Sequence, residues 1–166
     1  MSIIRSVITL KIVEDQTLRM ENVLSYRREL TPSDFKMAVK EINTLITELN
    51  ATKTGHTVTV NHVVFVDNAP KSEFEILVPL DRKVEFVRNF FSFKPVFYLE
   101  HAVKLSYSGK YSELNTAAVA AQKYISDHNL VPVTPAYCVN IQEYEPEYSD
   151  RDIVEDIYIG ISRNVL

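Results

Sequence analysis

The feature that most constrains the fold of this chain is an internal repeat with an offset of 81 residues, the separation of Tyr26 and Tyr107. Three segments recur at this offset without a gap: LSY (24–26 and 105–107), VTV and VNI (58–60 and 139–141), and EILVPL and DIYIGI (75–80 and 156–161). Two copies of this length account for nearly all of the 166 residues. The sequence therefore predicts one structural unit used twice within a single domain, 1–166.

Hydrophobic periodicity predicts the same order of elements, strand-helix-strand-strand, in each copy. The apolar residues of the helices recur every three or four positions, and those of the strands tend to alternate. In the first copy we expect strands at 22–30, 57–66 and 74–80, a turn at 67–70 and a helix at 32–50 that is capped by Thr31. In the second copy we expect strands at 97–108, 136–142 and 153–162 and a helix at 112–128.

These elements predict an α+β fold. Duplicated β-α-β-β modules, at about 20–81 and 97–162, are expected to form one antiparallel sheet with two helices on one face. A crossover over 82–96 joins them and contains four phenylalanines: Phe86, Phe90, Phe91 and Phe93. We expect this cluster to fill core; the alternative is a ligand lid or an association surface.

Charge and cysteine content restrict the classes of function. The chain has 18 Lys and Arg against 22 Asp and Glu, and the lone Cys138 has no partner for an internal disulfide. We therefore expect a cytoplasmic protein with no signal peptide, no membrane span and no nucleic-acid partner, because no basic stripe is available to neutralise phosphates. A cationic ligand or partner suits this charge better.

Two acids carry the binding hypothesis. Glu75 and Asp156 correspond in the repeat and are expected to lie off the apolar stripe of their strands. Four tyrosines at strand positions could stand beside them: Tyr26, Tyr107, Tyr137 and Tyr158. Carboxylates next to aromatic rings can hold a planar cation by charge, stacking and cation–π attraction. The alternative is two solvated strand acids among half-buried tyrosines.

Catalysis has no visible signature in this sequence. The four histidines lack the spacing of a metal site, no glycine-rich phosphate loop is present, and no serine elbow occurs. We therefore predict no catalytic residues, no metal and no cofactor. Gly109 is expected to permit a backbone conformation that a side chain would resist.

The segment YSGKYSEL at 107–114, the helix exit around 124–132 and the closing strand at 156–161 together resemble the GyrI-like domains. This bacterial group is also found as the effector-binding part of AraC- and MerR-type regulators. The resemblance covers most of 20–162. It implies a cleft between two modules in which an acid and aromatic side chains meet cationic or amphipathic compounds.

The chain departs from the family pattern at four places. Tyr107 replaces the usual His, Asn129 replaces Gly, Asp156 replaces the ligand-binding Glu, and Gly160 replaces Pro. Asp156 is shorter by one methylene, so Glu75 is the alternative source of charge. With no helix-turn-helix segment expected before the domain, the resemblance is to the stand-alone type, which includes gyrase inhibitors and small-molecule binders.

The function predicted first is noncatalytic binding of a small amphipathic or cationic molecule between the two copies. The alternative is a protein-interaction module, a homodimer or a factor that sequesters a protein partner through the Phe86 to Phe97 region. The chain is also similar to stand-alone proteins encoded near Gram-positive type VII secretion genes. A third hypothesis is hydrolysis, which some GyrI-like relatives imply, with an acid beside tyrosines orienting water.

Overall fold

A computed structural model describes residues 9–141 and 152–162 of the chain. The elements are β1 (Thr9–Arg28), a 3₁₀ turn (Pro32–Asp34) that leads into α1 (Phe35–Glu48), β2 (Val58–Val66), β3 (Ala69–Pro79), β4 (Phe91–Lys110), a second 3₁₀ turn (Tyr111–Glu113) that leads into α2 (Leu114–Asp127), β5 (Val131–Asn140) and β6 (Asp152–Ser162). The predicted class, α+β with an antiparallel sheet and two helices, is confirmed. The predicted strand end at Gln142 lies outside the described residues.

The chain divides into two compact units. Unit I is Leu18–Leu99, and the described part of unit II is 9–17, 100–141 and 152–162. Both β1 and β4 are 20 residues long and cross the boundary between the units. Each unit is described by itself below.

Unit I packs α1 against one face of its strands. β3 lies between β1 and β2, with Ile76 opposite Tyr26 on one side and Thr59 on the other. The helix buries Ala38, Ile42, Leu45 and Ile46 against Leu24, Tyr26, Ile76 and Val78. Within α1 the apolar Val39 is exposed, whereas its neighbour Ala38 is buried. The other face of these strands is also buried and includes Val58, Val60 and Leu77.

Capping and turn residues lie at the start of the first helical segment and between β2 and β3. The backbone N–H of Thr31 donates to Oδ2 of Asp34 at 2.9 Å, and the N–H of Asp34 donates to the Thr31 carbonyl at 2.9 Å. The hydrogen bonds from Thr31 hold the pKa of Asp34 below its usual value. Between β2 and β3, Asp67 and Asn68 have φ of 51° and 63°, as a two-residue hairpin turn requires.

Unit II packs α2 against its own strands through small residues. β6 lies between β4 and β5. Ala117 and Ala121 are buried, and they belong to clusters with Leu105, Tyr107, Ile153 and Ile157. Small side chains let the helix axis approach the strands closely.

The crossover mostly fills core in unit I. Phe86, Phe91 and Phe93 pack against the α1 cluster, whereas Phe90 is 54% exposed. β4 begins at Phe91, so the irregular part of the crossover is shorter than predicted. In the part of the chain that the structure describes, no helix has the length and apolar character needed to span a membrane.

Candidate functional site

Glu75 lies in unit I on the strand face opposite α1, and its carboxylate is fully engaged. Ser25 Oγ donates to Oε1 at 2.6 Å, Lys94 Nζ donates to Oε1 at 2.5 Å, and His62 Nε2 lies 2.7 Å from Oε2. The side chain is 5% exposed. Three partners at hydrogen-bond distance, one of them a lysine, make this a buried and neutralised acid.

The pKa of Glu75 reflects two opposing effects. Burial raises it, but the hydrogen bonds from Lys94, Ser25 and His62 outweigh burial and the pKa falls below its usual value. The charged form is therefore the favoured form of this carboxylate at neutral pH.

Asp156 lies in unit II and has a similar set of partners. Ser106 Oγ donates to Oδ1 at 2.8 Å, and Lys104 Nζ lies 3.1 Å from Oδ2. Burial lowers the pKa of Lys104, but the hydrogen bond to Asp156 and the interaction with Tyr158 outweigh it and raise that pKa. The Lys104 ammonium also lies 5.7 Å from the centroid of the Tyr158 ring.

The two acids do not occupy equivalent positions in the strand ladders. Asp156 stands directly opposite Ser106, whereas Leu77 stands opposite Ser25. The repeat offset of 81 residues therefore matches ladder positions on β1 with those on β4. The corresponding ladder positions on β3 and β6 are separated by two residues fewer. Glu75 reaches Ser25 diagonally, so both acids accept a bond from a serine although their ladder positions differ.

The tyrosines predicted to line a site fall on two kinds of surface. Tyr137 and Tyr158 are paired across β5 and β6 and share a strand face with Asp156, so the structure brings these three together. Tyr107 lies on the other face of its strands, toward α2, and Tyr26 likewise faces α1 while Glu75 points away from it. Both of these tyrosines are 1% exposed. Their assignment to a ligand site, with Glu75, Asp156, Tyr137 and Tyr158, stays a prediction.

Sequence reasoning missed Glu155, an acid in an unusual environment. It lies on β6 between Tyr107 of β4 and Asn140 of β5, on the face toward α2. Its Oε2 atom is buried, and no hydrogen-bond partner for it is found among the described residues. Oε2 of Glu113, at the start of α2, is also buried and has no hydrogen-bond partner among the described residues.

Burial has a large effect on the groups around Glu155. It raises the pKa of Glu155 itself. Burial and the charges of Glu113, Glu155 and Asp152 raise the pKa of Tyr107. Burial and the charge of Glu155 raise the pKa of Cys138 to about 12. Glu155, Tyr107 and Cys138 therefore interact electrostatically in an environment that disfavours negative charge, and an unpaired carboxylate there can take up a proton or a cation.

A sequence signal for Glu155 existed. Ile153, Glu155 and Ile157 share one strand face by the period of two, so an acid interrupts an apolar stripe. The sequence instead indicates Asp156, because it corresponds to Glu75 in the repeat and to the ligand-binding acid of the family that the chain resembles.

Gly109 serves a different purpose from the one predicted. Its φ is not in the left-handed region, so the prediction of an unusual backbone conformation is wrong. A Cβ at this position would lie 2.8 Å from the Tyr107 hydroxyl oxygen. Gly109 leaves room for the Tyr107 ring, whose hydroxyl donates to the Lys110 carbonyl at 2.5 Å.

Among residues 9–141 and 152–162, no group of three or more His, Cys, Asp or Glu side chains is arranged to hold a metal ion. His62 contacts Glu75 in the same cluster as Ser25 and Lys94.

No protein-family model and no curated protein matches this chain. Solved structures do. The chain is similar to EcmrR in a cryo-EM structure of its DNA complex, with a TM-score of 0.70 and 14% identity over 94% of this chain. It spans only 58% of that EcmrR chain. It covers 98% of the separate EcmrR C-terminal domain, with a TM-score of 0.62 and 15% identity over 95% of this chain.

Two proteins from Listeria innocua have the same fold. An uncharacterized conserved protein matches with a TM-score of 0.58 and 9% identity, over 92% of each chain. A hydrolase matches with a TM-score of 0.55 and 8% identity, over 92% of this chain and 91% of the other. At these identities the likeness shows a shared fold.

Proposed function

We propose that this chain binds a small amphipathic cation without transforming it, and that Glu155 supplies the anionic contact. The observation that carries the proposal is the buried carboxylate oxygen of Glu155, which has no partner among the described residues. The fold likeness to the EcmrR C-terminal domain and the sequence resemblance to the GyrI-like effector-binding domains support it.

The electrostatics of the three acids favour Glu155 as the contact. Glu75 is paired with Lys94 and Asp156 with Lys104, so a ligand cation would have to displace a lysine at either acid. Glu155 has no such competitor in the described part of the chain. A cation there would remove the cost of burying the charged carboxylate, and that cost raises the pKa of Glu155.

The surroundings of Glu155 suit a ligand with an apolar body. Tyr107, Ala117 and Ile153 form a buried cluster at this end of α2, and Leu114 packs against it. The Tyr107 ring can add cation–π attraction. In this proposal the Tyr137, Asp156 and Tyr158 face is a secondary polar surface, and Tyr26 and Glu75 belong to unit I.

Thermal unfolding with two probes of the same shape and opposite charge tests the proposal. Tetraphenylphosphonium should raise the melting temperature of the wild-type chain, and tetraphenylborate should not. Glu155→Gln should abolish the shift, whereas Asp156→Asn, a matched loss of one carboxylate on the neighbouring residue, should retain it. Equal shifts with both probes, or a full shift in Glu155→Gln, would refute the assignment of Glu155.

A second candidate function, a protein-interaction module, is favoured by the exposed apolar side chains of the crossover. Val87 is fully exposed and Phe90 is more than half exposed. If this surface forms a homodimer, light scattering over a range of concentrations should give a rising mass that Phe90→Ser abolishes. A constant monomer mass would argue against self-association.

A further inference from the structure

We infer a second ligand site, in unit I, that takes an amphipathic anion such as a carboxylate or sulfonate with an apolar tail. The site is a groove of about 360 Å³ between α1 and the turn that precedes β4. Met37 and Lys40 line it from the helix, Arg88 lines it from the turn, and Phe91 lines it from the start of β4. It is independent of Glu155, which belongs to unit II.

The apolar part of the groove is preformed. Met37 is 65% exposed on the rim although it is an apolar side chain. On the other wall, Phe91 is held edge-on against Tyr26, with ring centroids 4.8 Å apart. A flexible thioether facing a fixed aromatic ring is a suitable contact for an alkyl or aryl tail.

Lys40, Glu41 and Arg88 line the groove, and Arg28 and Glu48 lie next to it, so these charged side chains include three cations and two anions. Arg88 pairs with Glu48 at 2.8 Å. Glu41 accepts a hydrogen bond from the Tyr26 hydroxyl at 3.0 Å, and Arg28 donates to the same hydroxyl oxygen at 3.4 Å. Lys40 has no ion pair among the described residues. The groove therefore offers an ammonium group beside an apolar wall, which complements an amphipathic anion.

The backbone next to the groove is strained. Phe90 has φ of 68°, a left-handed conformation that is unusual for a bulky residue. Its carbonyl accepts a hydrogen bond from the Arg27 N–H at 2.9 Å, and the Arg28 guanidinium lies 4.5 Å from its ring centroid. Strain of this kind persists where the surroundings over-determine the conformation, and it concentrates at ligand sites. Here it fixes the turn that carries Arg88 and Phe91.

Calorimetric titration of the full chain with decanoate, and with decanol as the neutral analogue, tests this inference. Decanoate should bind more tightly than decanol. Lys40→Gln should weaken decanoate binding about fivefold, the loss of one exposed charge-assisted contact, and leave decanol binding unchanged. Met37→Asp should weaken the binding of both.

Two controls make the result decisive. Lys83→Gln removes the same kind of charge from the crossover, at a residue that does not line the groove, and it should bind decanoate like the wild type. Glu155→Gln should also bind like the wild type, which separates this inference from the proposed cation site. The inference is wrong if Lys40→Gln matches the wild type, if Lys83→Gln weakens binding as much, or if decanoate does not bind at millimolar concentration.

Discussion

Glu75 in unit I and Glu155 in unit II are both largely buried glutamates on a strand that has neighbours on both sides, yet their pKa values move in opposite directions. Glu75 has a serine, a lysine and a histidine on its two oxygens, and its pKa falls. Glu155 has an oxygen without a described partner, and its pKa rises. The comparison shows that the supply of hydrogen-bond donors, and not burial alone, decides in which direction the pKa of a buried acid moves.

One tyrosine of each unit also differs in the partner of its hydroxyl group. Tyr26 and Tyr107 correspond in the repeat. The Tyr26 hydroxyl donates to Glu41 on α1, whereas the Tyr107 hydroxyl donates to the backbone of Lys110. Arg28 in unit I stands at the position where unit II has Gly109, two residues after each tyrosine. Arg28 therefore places a guanidinium next to the Tyr26 hydroxyl, whereas Gly109 leaves room for the Tyr107 ring.

The largest effect is expected at Glu75. Glu75→Gln should lower the free energy of unfolding at neutral pH by about 3 kcal/mol, because Lys94 loses its buried counter-charge. The stabilisation from Glu75 should be fully present above the ordinary glutamate pKa of about 4.3 and be lost as pH falls through its lower folded pKa. Urea unfolding at several pH values measures this. A Lys94→Met, Glu75→Gln double variant checks the pairing, and strictly additive losses would contradict it.

The next effect concerns the space around Tyr107. Gly109→Ala should destabilise the chain by about 2 kcal/mol, because the new Cβ would meet the Tyr107 hydroxyl and force the ring to shift. Chemical denaturation of Gly109→Ala in a Tyr107→Phe background should show a smaller cost, since the closest atom is gone. An equal cost in both backgrounds would mean that the backbone, and not the ring, requires glycine there.

The effect at Glu155 should be smaller and of opposite sign to that at Glu75. Glu155→Gln should stabilise the chain by about 1 kcal/mol at neutral pH, because it removes a charge that burial disfavours. Because the folded pKa of Glu155 is raised, the wild type should lose stability relative to Glu155→Gln as pH rises from about 4.3, the ordinary glutamate pKa, toward the folded pKa. Below a pH of about 4.3 the two proteins should be equally stable, because the carboxyl group is protonated in both the folded and the unfolded state. Melting temperatures from pH 3 to pH 8 measure the difference. A destabilised Glu155→Gln variant would show that the carboxylate has a partner in the folded chain.

The smallest effect is expected at Asp156. Asp156→Asn should change stability by less than about 1 kcal/mol, because its pair with Lys104 is partly exposed and is screened by solvent. Parallel urea titrations of Asp156→Asn and Glu75→Gln compare the two acids directly. A loss at Asp156 as large as that at Glu75 would overturn the ranking of the two ion pairs.

Much of the fold could be predicted from the sequence, because capping residues, turn residues and apolar periodicity act locally. Thr31 caps the 3₁₀ turn that leads into α1, and the predicted hairpin turn and order of elements appear in the structure. The beginnings of the two long strands could not be predicted. Asp15, Asn22 and His101 have left-handed φ of 52° to 56° within β1 and β4. Such residues interrupt the in-and-out alternation that a period of two requires, so the pattern no longer marks a strand.

For the site, the sequence by itself determined on which strand face each acid and tyrosine lies, because successive side chains of a strand point to opposite faces. It could not determine which acid is paired. Lys94 of β4 contacts Glu75 although β3 pairs with β1 and β2, whereas Lys104 of β4 contacts Asp156 on the paired strand β6. Pairing depends on distances between residues far apart in the chain, so only the tertiary structure identified Glu155, like Glu113, as an acid whose buried oxygen has no donor among the described residues.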